Sequence, residues 1–143
     1  MTLSFNYHRL PNKKGVDIRT PSIPVVLKGE SKTQIKVYAL IDSGADISVI
    51  PKSLAEFLNL DLSGETDISY GIGGEIKVKK TRMQITIEKV HEEEYSYNIP
   101  VQVILSGEEP PIILGRKGFF DNFVVTIDET NKKIRLKKAS KNY

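Results

Sequence analysis

The chain contains no cysteine, and only two histidines, His8 and His91. The first absence excludes a disulfide scaffold, thiolate metal ligands and a cysteine nucleophile. It fits a reducing compartment, and a cytoplasmic location is expected. The second leaves little room for a zinc site or a Ser-His-Asp triad, so neither metal nor cofactor is expected. No apolar run approaches the ~20 residues that span a bilayer. Residues 1–7 hold no basic stretch followed by an apolar one. Neither a membrane partner nor a signal peptide is therefore expected.

What is present suffices for one core. With 143 residues, 39% of them hydrophobic, a chain of this size buries roughly 70% of its unfolded surface without staples. No repeat, low-complexity segment or linker divides it, and one domain is expected over residues 1–143, with a core at about 22–137. The net charge of +3 is unevenly placed: six basic residues and no acidic one lie from Lys132 onward, leaving 15 basic and 18 acidic before it. Such a tail can touch nucleic acid. It carries no interleaved aromatics, and it is read instead as a solvated strand end.

The pattern is mostly strands. Residues 22–27 and 34–41 flank the turn cluster Lys28-Gly29-Glu30-Ser31 and read as a hairpin. Further strands are expected at 75–79, 83–88, 95–104 and 123–127. Residues 134–136 follow the turn Asp128-Glu129-Thr130-Asn131. A helix is expected over 51–58, with Pro51 at its first position and Leu54, Phe57 and Leu58 on one face. A short second helix is expected at 116–121, and 8–21 reads as a surface loop. His8 and His91 are expected to be exposed. The acidic run Glu92-Glu93-Glu94 reads as a solvated turn, and Phe119 and Phe120 as core or interface packing. The fold class is all-β, a small closed or nearly closed barrel with one or two short helices.

Three segments carry the chemistry. In Ala39-Leu40-Ile41-Asp42-Ser43-Gly44-Ala45-Asp46 an apolar strand delivers an acid, then a small hydroxyl residue, then glycine. An acid at the end of a buried strand is poorly solvated, and its pKa can be tuned. Ser43 can hydrogen-bond to the loop, and Gly44 lets a backbone N–H approach the carboxylate. The plain alternative is an Asp-Ser-Gly turn between strands. In Tyr70-Gly71-Ile72-Gly73-Gly74-Glu75 the glycines suggest a hairpin tip whose backbone can approach a ligand. A phosphate cradle fails there, because neither glycine-rich nucleotide motif is present. In Pro111-Ile112-Ile113-Leu114-Gly115-Arg116 an apolar strand ends at glycine and arginine.

In this order the three segments resemble those of the retropepsin-like aspartic proteases, the single-lobe relatives of pepsin that include retroviral proteases. Asp42-Ser43-Gly44-Ala45 is similar to the catalytic Asp-[Thr/Ser]-Gly-Ala signature. Gly71-Ile72-Gly73-Gly74 is similar to the flap tip, and Ile113-Leu114-Gly115-Arg116 to the hydrophobic-hydrophobic-Gly motif. The resemblance implies Asp42, Ser43 and Gly44 as catalytic residues. It implies substrate contacts from Tyr70, Gly71, Ile72, Gly73, Gly74, Ala45 and Asp46. Asp46, Gly115 and Arg116 would brace the active-site loop, with Asp46 and Arg116 forming a planar fork if they are partly buried. It further implies two aspartates sharing one proton around a water that attacks the peptide carbonyl. Only one Asp-Ser-Gly is present, and Asp61-Leu62-Ser63-Gly64 is a near miss with an inserted residue. The second aspartate must then come from a second copy in a homodimer.

The sequence departs from the retroviral pattern in three places. Residues 51–62 are longer, 123–138 add a hairpin's worth of chain, and Glu75 stands behind the tip where an apolar residue is usual. Two rivals remain at this point. One is a catalytically silent dimeric peptide-binding module of the same fold. The other is a basic-tailed β-barrel that binds nucleic acid.

Overall fold

The computed structural model describes residues 2–10, 14–71, 73–88 and 94–140. In chain order it contains β1 (Thr2–Asn6), β2 (His8–Leu10), β3 (Ile18–Thr20), β4 (Ser22–Lys28), β5 (Gln34–Ile41) and β6 (Ser48–Pro51). The helix α1 (Lys52–Phe57) comes next. It is followed by β7 (Asp67–Gly71), β8 (Gly74–Glu88), β9 (Glu94–Ile104), β10 (Ile113–Leu114), β11 (Phe123–Asp128) and β12 (Lys133–Lys138).

The main sheet runs β4-β5-β10-β6-β9-β8-β7. A further pairing of β4 with β8, through Val26–Thr86, Leu27–Ile85 and Lys28–Gln84, joins six of these strands into a ring. Alternation explains the inside of that ring. Ile23, Val25 and Leu27 of β4 are buried, as are Ile99, Val101 and Val103 of β9 and Ile85 and Ile87 of β8. Side chains two apart on a strand share one face, and each such aliphatic residue contributes about 1.5–3 kcal/mol by leaving water. A second sheet, β1-β12-β11, closes one side of the core with Leu3, Ile134, Leu136 and Phe123.

β5 and β6 follow one another in sequence but are not neighbours. β10 lies between them, parallel to β5 and antiparallel to β6. The chain therefore climbs β5, crosses over the end of β10 and descends β6. Residues 42–47 form that crossing.

Several sequence expectations change. The strands expected at 75–79 and 83–88 are one 15-residue strand, β8, held continuously by pairing to β9 from Val78 to Glu88. The helix expected at 116–121 is reduced to a 3-10 turn at Phe120–Asn122, because Gly118 takes a φ of 86° that no α-helix accommodates. Pro51 ends β6 in an extended conformation and caps α1 from outside. Leu54 and Leu58 face inward as expected, but Phe57 is 54% exposed, off the Leu54–Ala55–Leu58 stripe. Residues 8–21 are not simply a loop: they contain the β2–β3 hairpin. His8 is half-buried, its ring stacked on Tyr38 at 3.6 Å. Phe119 is buried among Phe120 and Phe123. His91, Glu92 and Glu93 lie outside the described residues.

Candidate active site

The crossing over β10 is built from backbone first. The N–H of Leu40 donates to the Ile112 carbonyl at 2.8 Å, and that of Asp42 to the Leu114 carbonyl at 3.1 Å. Beyond the crossing, Arg116 N–H donates to the Ala45 carbonyl at 2.9 Å and Lys117 N–H to the Asp46 carbonyl at 3.0 Å. The segment after β10 thus lies directly beneath the loop that holds Asp42. Gly115 stands at the tightest point. A Cβ there would come within 2.7–2.8 Å of Ile47 and Ala45 backbone atoms, so only glycine fits.

Asp42 is half-buried at the end of β5. The Gly44 N–H donates to its Oδ1 at 2.8 Å, and Ala45 N–H donates to its carbonyl at 3.2 Å. The hydrogen bond from Gly44 fixes the orientation of the carboxylate plane. Gly44 does not sit in the left-handed region. Its lack of a side chain matters because a Cβ would stand 3.1 Å from that same oxygen. Ser43 is exposed, and its carbonyl accepts from Arg116 Nη1 at 2.6 Å.

Arg116 Nη2 donates to Asp46 Oδ1. The expected contact is present, but it is not a bidentate fork: one nitrogen serves the carboxylate and the other the Ser43 carbonyl. The pair is also on the surface, with side chains 51% and 79% exposed. The guanidinium therefore spans two points of the crossing loop.

Ser48 escaped the sequence reading. It is fully buried on β6, and its Oγ accepts the Gly115 N–H at 3.1 Å. The only sequence signal was one hydroxyl inside the apolar run Ile47-Ser48-Val49-Ile50. The near-miss Asp61 makes a local turn, with Ser63 N–H and Oγ donating to its Oδ1 at 2.9 and 2.5 Å. These bonds hold its carboxyl below the ordinary value.

The structure thus brings together Asp42, Ser43, Gly44, Ala45, Asp46, Gly115 and Arg116. The remaining expected residues lie apart, on the β7–β8 hairpin. Tyr70 pairs with Glu75 and Gly71 with Gly74. Tyr70 is 76% exposed, and positions 71, 73 and 74 have open space around them. Of these three glycines only Gly74, with φ 101°, needs to be glycine. Ile72 lies outside the described residues. Among the described residues, no three His, Asp or Glu side chains converge as a metal site would require. No helix among them is long and apolar enough to cross a membrane.

Comparison with known proteins gives the same frame. A family model described as "Aspartyl protease" matches residues 23–117. A retropepsin-like aspartic protease from Rickettsia conorii is 20% identical. The match covers 95% of this chain and 98% of that one, with a TM-score of 0.61. The EIAV protease, solved with the inhibitor HBY-793, is 22% identical over 75% of this chain and 88% of its own, with a TM-score of 0.44. Comparison with curated proteins finds no match. The all-β, retropepsin-like fold expected from the sequence is the fold observed.

Proposed function

The chain belongs to the aspartyl protease family, and from that premise we propose that it is an endopeptidase whose catalytic group is Asp42. The observation that carries this reading is the Asp42 carboxylate itself. It is held by the Gly44 N–H at the end of a buried strand, over a crossing locked by Gly115 and Arg116. One such carboxylate can accept a proton from water, but a second acid must donate to the carbonyl oxygen. The chain offers one, so a second copy supplies its own Asp42, and the two share one proton. Water activated between them attacks the peptide carbonyl. No metal or cofactor enters this reading. The β7–β8 hairpin, with Tyr70 and the glycines at its tip, closes over the bound peptide and presents backbone groups to it. The cysteine-free chain suits work in the cytoplasm. Its basic residues on β12 serve solubility rather than nucleic acid.

Asp42→Asn tests the chemistry. It should abolish cleavage of an unstructured protein while leaving circular dichroism and sedimentation unchanged, since an amide neither accepts nor shares the proton. Full turnover in the purified variant would refute the assignment. Mixing tests the sharing. With wild-type and Asp42→Asn chains in equal amounts and free exchange, random pairing leaves about a quarter of the dimers with two aspartates. Activity near that quarter supports a shared site, and activity near one half means that each chain works alone.

A further inference from the structure

The β2–β3 hairpin lies outside the stretch 23–117 that the aspartyl protease model matches, and its two faces differ. On one, Arg9 pairs with Arg19, and both reach Asp17, at 3.1 and 3.0 Å. His8 pairs with Thr20 and Leu10 with Ile18, so these four share the other face. His8 stacks its ring on Tyr38 of β5 and fastens the hairpin to the barrel. Leu10 and Ile18 remain 40% and 42% exposed. Between this face and the barrel runs an open groove of about 450 Å³, lined by His8, Leu10, Tyr38, Leu40, Pro111 and Ile112. Two further wall residues, Thr20 and Ser22, bond their hydroxyls to each other at 3.0 Å. Among the described residues, no Lys, Arg, Asp or Glu lines the groove.

The groove is continuous with the candidate active site. Ala39 and Ile41 turn into the core, so Tyr38, Leu40 and Asp42 share the opposite face of the chain. The backbone stays regular to the end of that row, with Leu40 N–H on the Ile112 carbonyl and Asp42 N–H on the Leu114 carbonyl. At ~3.4 Å per residue, Leu40 stands about 7 Å and Tyr38 about 14 Å from Asp42 along the strand. An extended peptide has the same rise, so side chains two to four residues from a bond held at Asp42 fall over the groove. We propose that the groove takes a large apolar side chain of the substrate at that distance from the bond cut, and that the β2–β3 hairpin makes the protease selective for it. An apolar side chain gains there by leaving water, whereas a charged one loses its hydration and finds no partner. The volume lies within the roughly 300–1,000 Å³ of ligand pockets, ample for Phe, Tyr, Leu or Met. This inference rests on Asp42 being the catalytic group, and its test separates the two ideas.

Cleavage of a peptide library made from denatured protein, read by mass spectrometry, tests the selectivity. At one position two to four residues from the cut, the wild type should favour Phe, Tyr, Leu and Met over Ala, Asp and Lys by at least about tenfold, as an apolar pocket discriminates by size. Leu10→Lys should remove that preference and leave the preferences of the two residues flanking the cut unchanged. Arg9→Glu, on the other face of the hairpin, should keep the wild-type profile. A Leu10→Lys profile identical to the wild type overturns the proposal.

Binding can be read without catalysis. His91→Gln leaves His8 as the one imidazole of the chain, so its ring protons give a single set of NMR signals. N-acetyl-phenylalanine amide should shift them saturably and N-acetyl-lysine amide should not. Adding Leu10→Lys should weaken the phenylalanine response at least about tenfold. No saturable shift overturns the groove as a binding site. A shift that grows with protein concentration alone means that a second copy covers the groove, and it overturns the proposal too. If Asp42→Asn keeps full turnover while His8 responds as expected, the groove stands and the catalytic reading falls. If Asp42→Asn is inactive while Leu10→Lys changes nothing in either experiment, Asp42 stands and the groove falls.

Discussion

Arg116 and Asp46 are 70 residues apart in sequence, yet the guanidinium of one donates to the carboxylate of the other. The backbone N–H of Arg116 binds the Ala45 carbonyl at the same place. The arginine's second contact, with the Ser43 carbonyl, reaches the residue next to Asp42. The acid is thus positioned from below by a chain segment that joins the barrel only after β10 has slotted between β5 and β6.

A double-mutant cycle between Asp46→Ala and Arg116→Ala should give a coupling of about 0.2–1 kcal/mol, the range for an exposed pair. Arg116→Ala should be the costlier single change, because it also leaves the Ser43 carbonyl without its donor. Urea unfolding measures the cycle, and zero coupling would show that the pair does not interact in solution. Arg116→Lys should not restore activity fully, since an ammonium cannot reproduce the two-point reach of a planar guanidinium.

Gly115 and Gly73 should respond oppositely to alanine. At Gly115 the new Cβ meets backbone within 2.8 Å, and overpacking against a backbone that cannot rotate away costs about 1–3 kcal/mol or more. Gly73 has open space and no left-handed φ, so its alanine variant should fold with wild-type stability. Gly74→Ala, at φ 101°, should cost about 1–2 kcal/mol. Thermal melts of the three variants rank them, and any other order contradicts the geometry.

Ser48→Ala removes the acceptor for a buried N–H. An unsatisfied buried donor costs about 1–3 kcal/mol, and the loss falls on the turn beneath Asp42. Stability and kcat should therefore decline together, with Ser48→Thr recovering part of both. Unchanged urea midpoints in Ser48→Ala would mean that water replaces the hydroxyl.

Acid stability should depend on Asp128. The Asn131 side chain and backbone N–H donate to its carboxylate at 2.9 and 3.0 Å, and these bonds, with Arg135 nearby, hold its carboxyl below the ordinary value. A carboxyl whose pKa is lower folded than unfolded stabilises above the unfolded value, about 3.9. That contribution disappears as the pH falls through the lower folded value. Asp128→Asn should accordingly be less stable than the wild type at neutral pH and lose less on acidification. Parallel acid limbs for the two proteins would remove the argument.

The legible part of the site was the part that is contiguous. Asp42, Ser43 and Gly44 announce themselves as three neighbours framed by apolar strands, and Gly115-Arg116 closes a third apolar run. Ser48 was not legible, because its partner lies 67 residues away and is set by β10 entering between two strands, which no local pattern records. The continuity of β8 was hidden for a different reason. Lys79-Lys80-Thr81-Arg82 interrupts the apolar alternation, and the strand persists there through pairing with β9. Lys79 Nζ reaching the Leu62 carbonyl and Arg82 reaching Asn98 occupy the polar side chains. The glycine-rich tip was legible as a turn, but only one of its three described glycines has a backbone angle that demands glycine.

β8 also has a mechanical side. Val78, almost fully buried, is the one residue of the strand that pairs with both β7, at Asp67, and β9, at Ile104. Beyond it, Lys77 is still held by the chain after β9, its carbonyl accepting from Leu105 N–H at 2.9 Å and its N–H donating to Ser106 Oγ at 3.3 Å, while from Ile76 to Gly74 the strand pairs with β7. The strand is thus a cantilever clamped at Val78 and Lys77, with a free arm of about 10 Å at ~3.4 Å per residue. A tilt of about 10° at the clamp displaces the end of that arm by roughly 2 Å, the scale of one methyl group. Loosening a single valine in the wall of the barrel should therefore be felt at the far end as travel, with no residue of the tip altered.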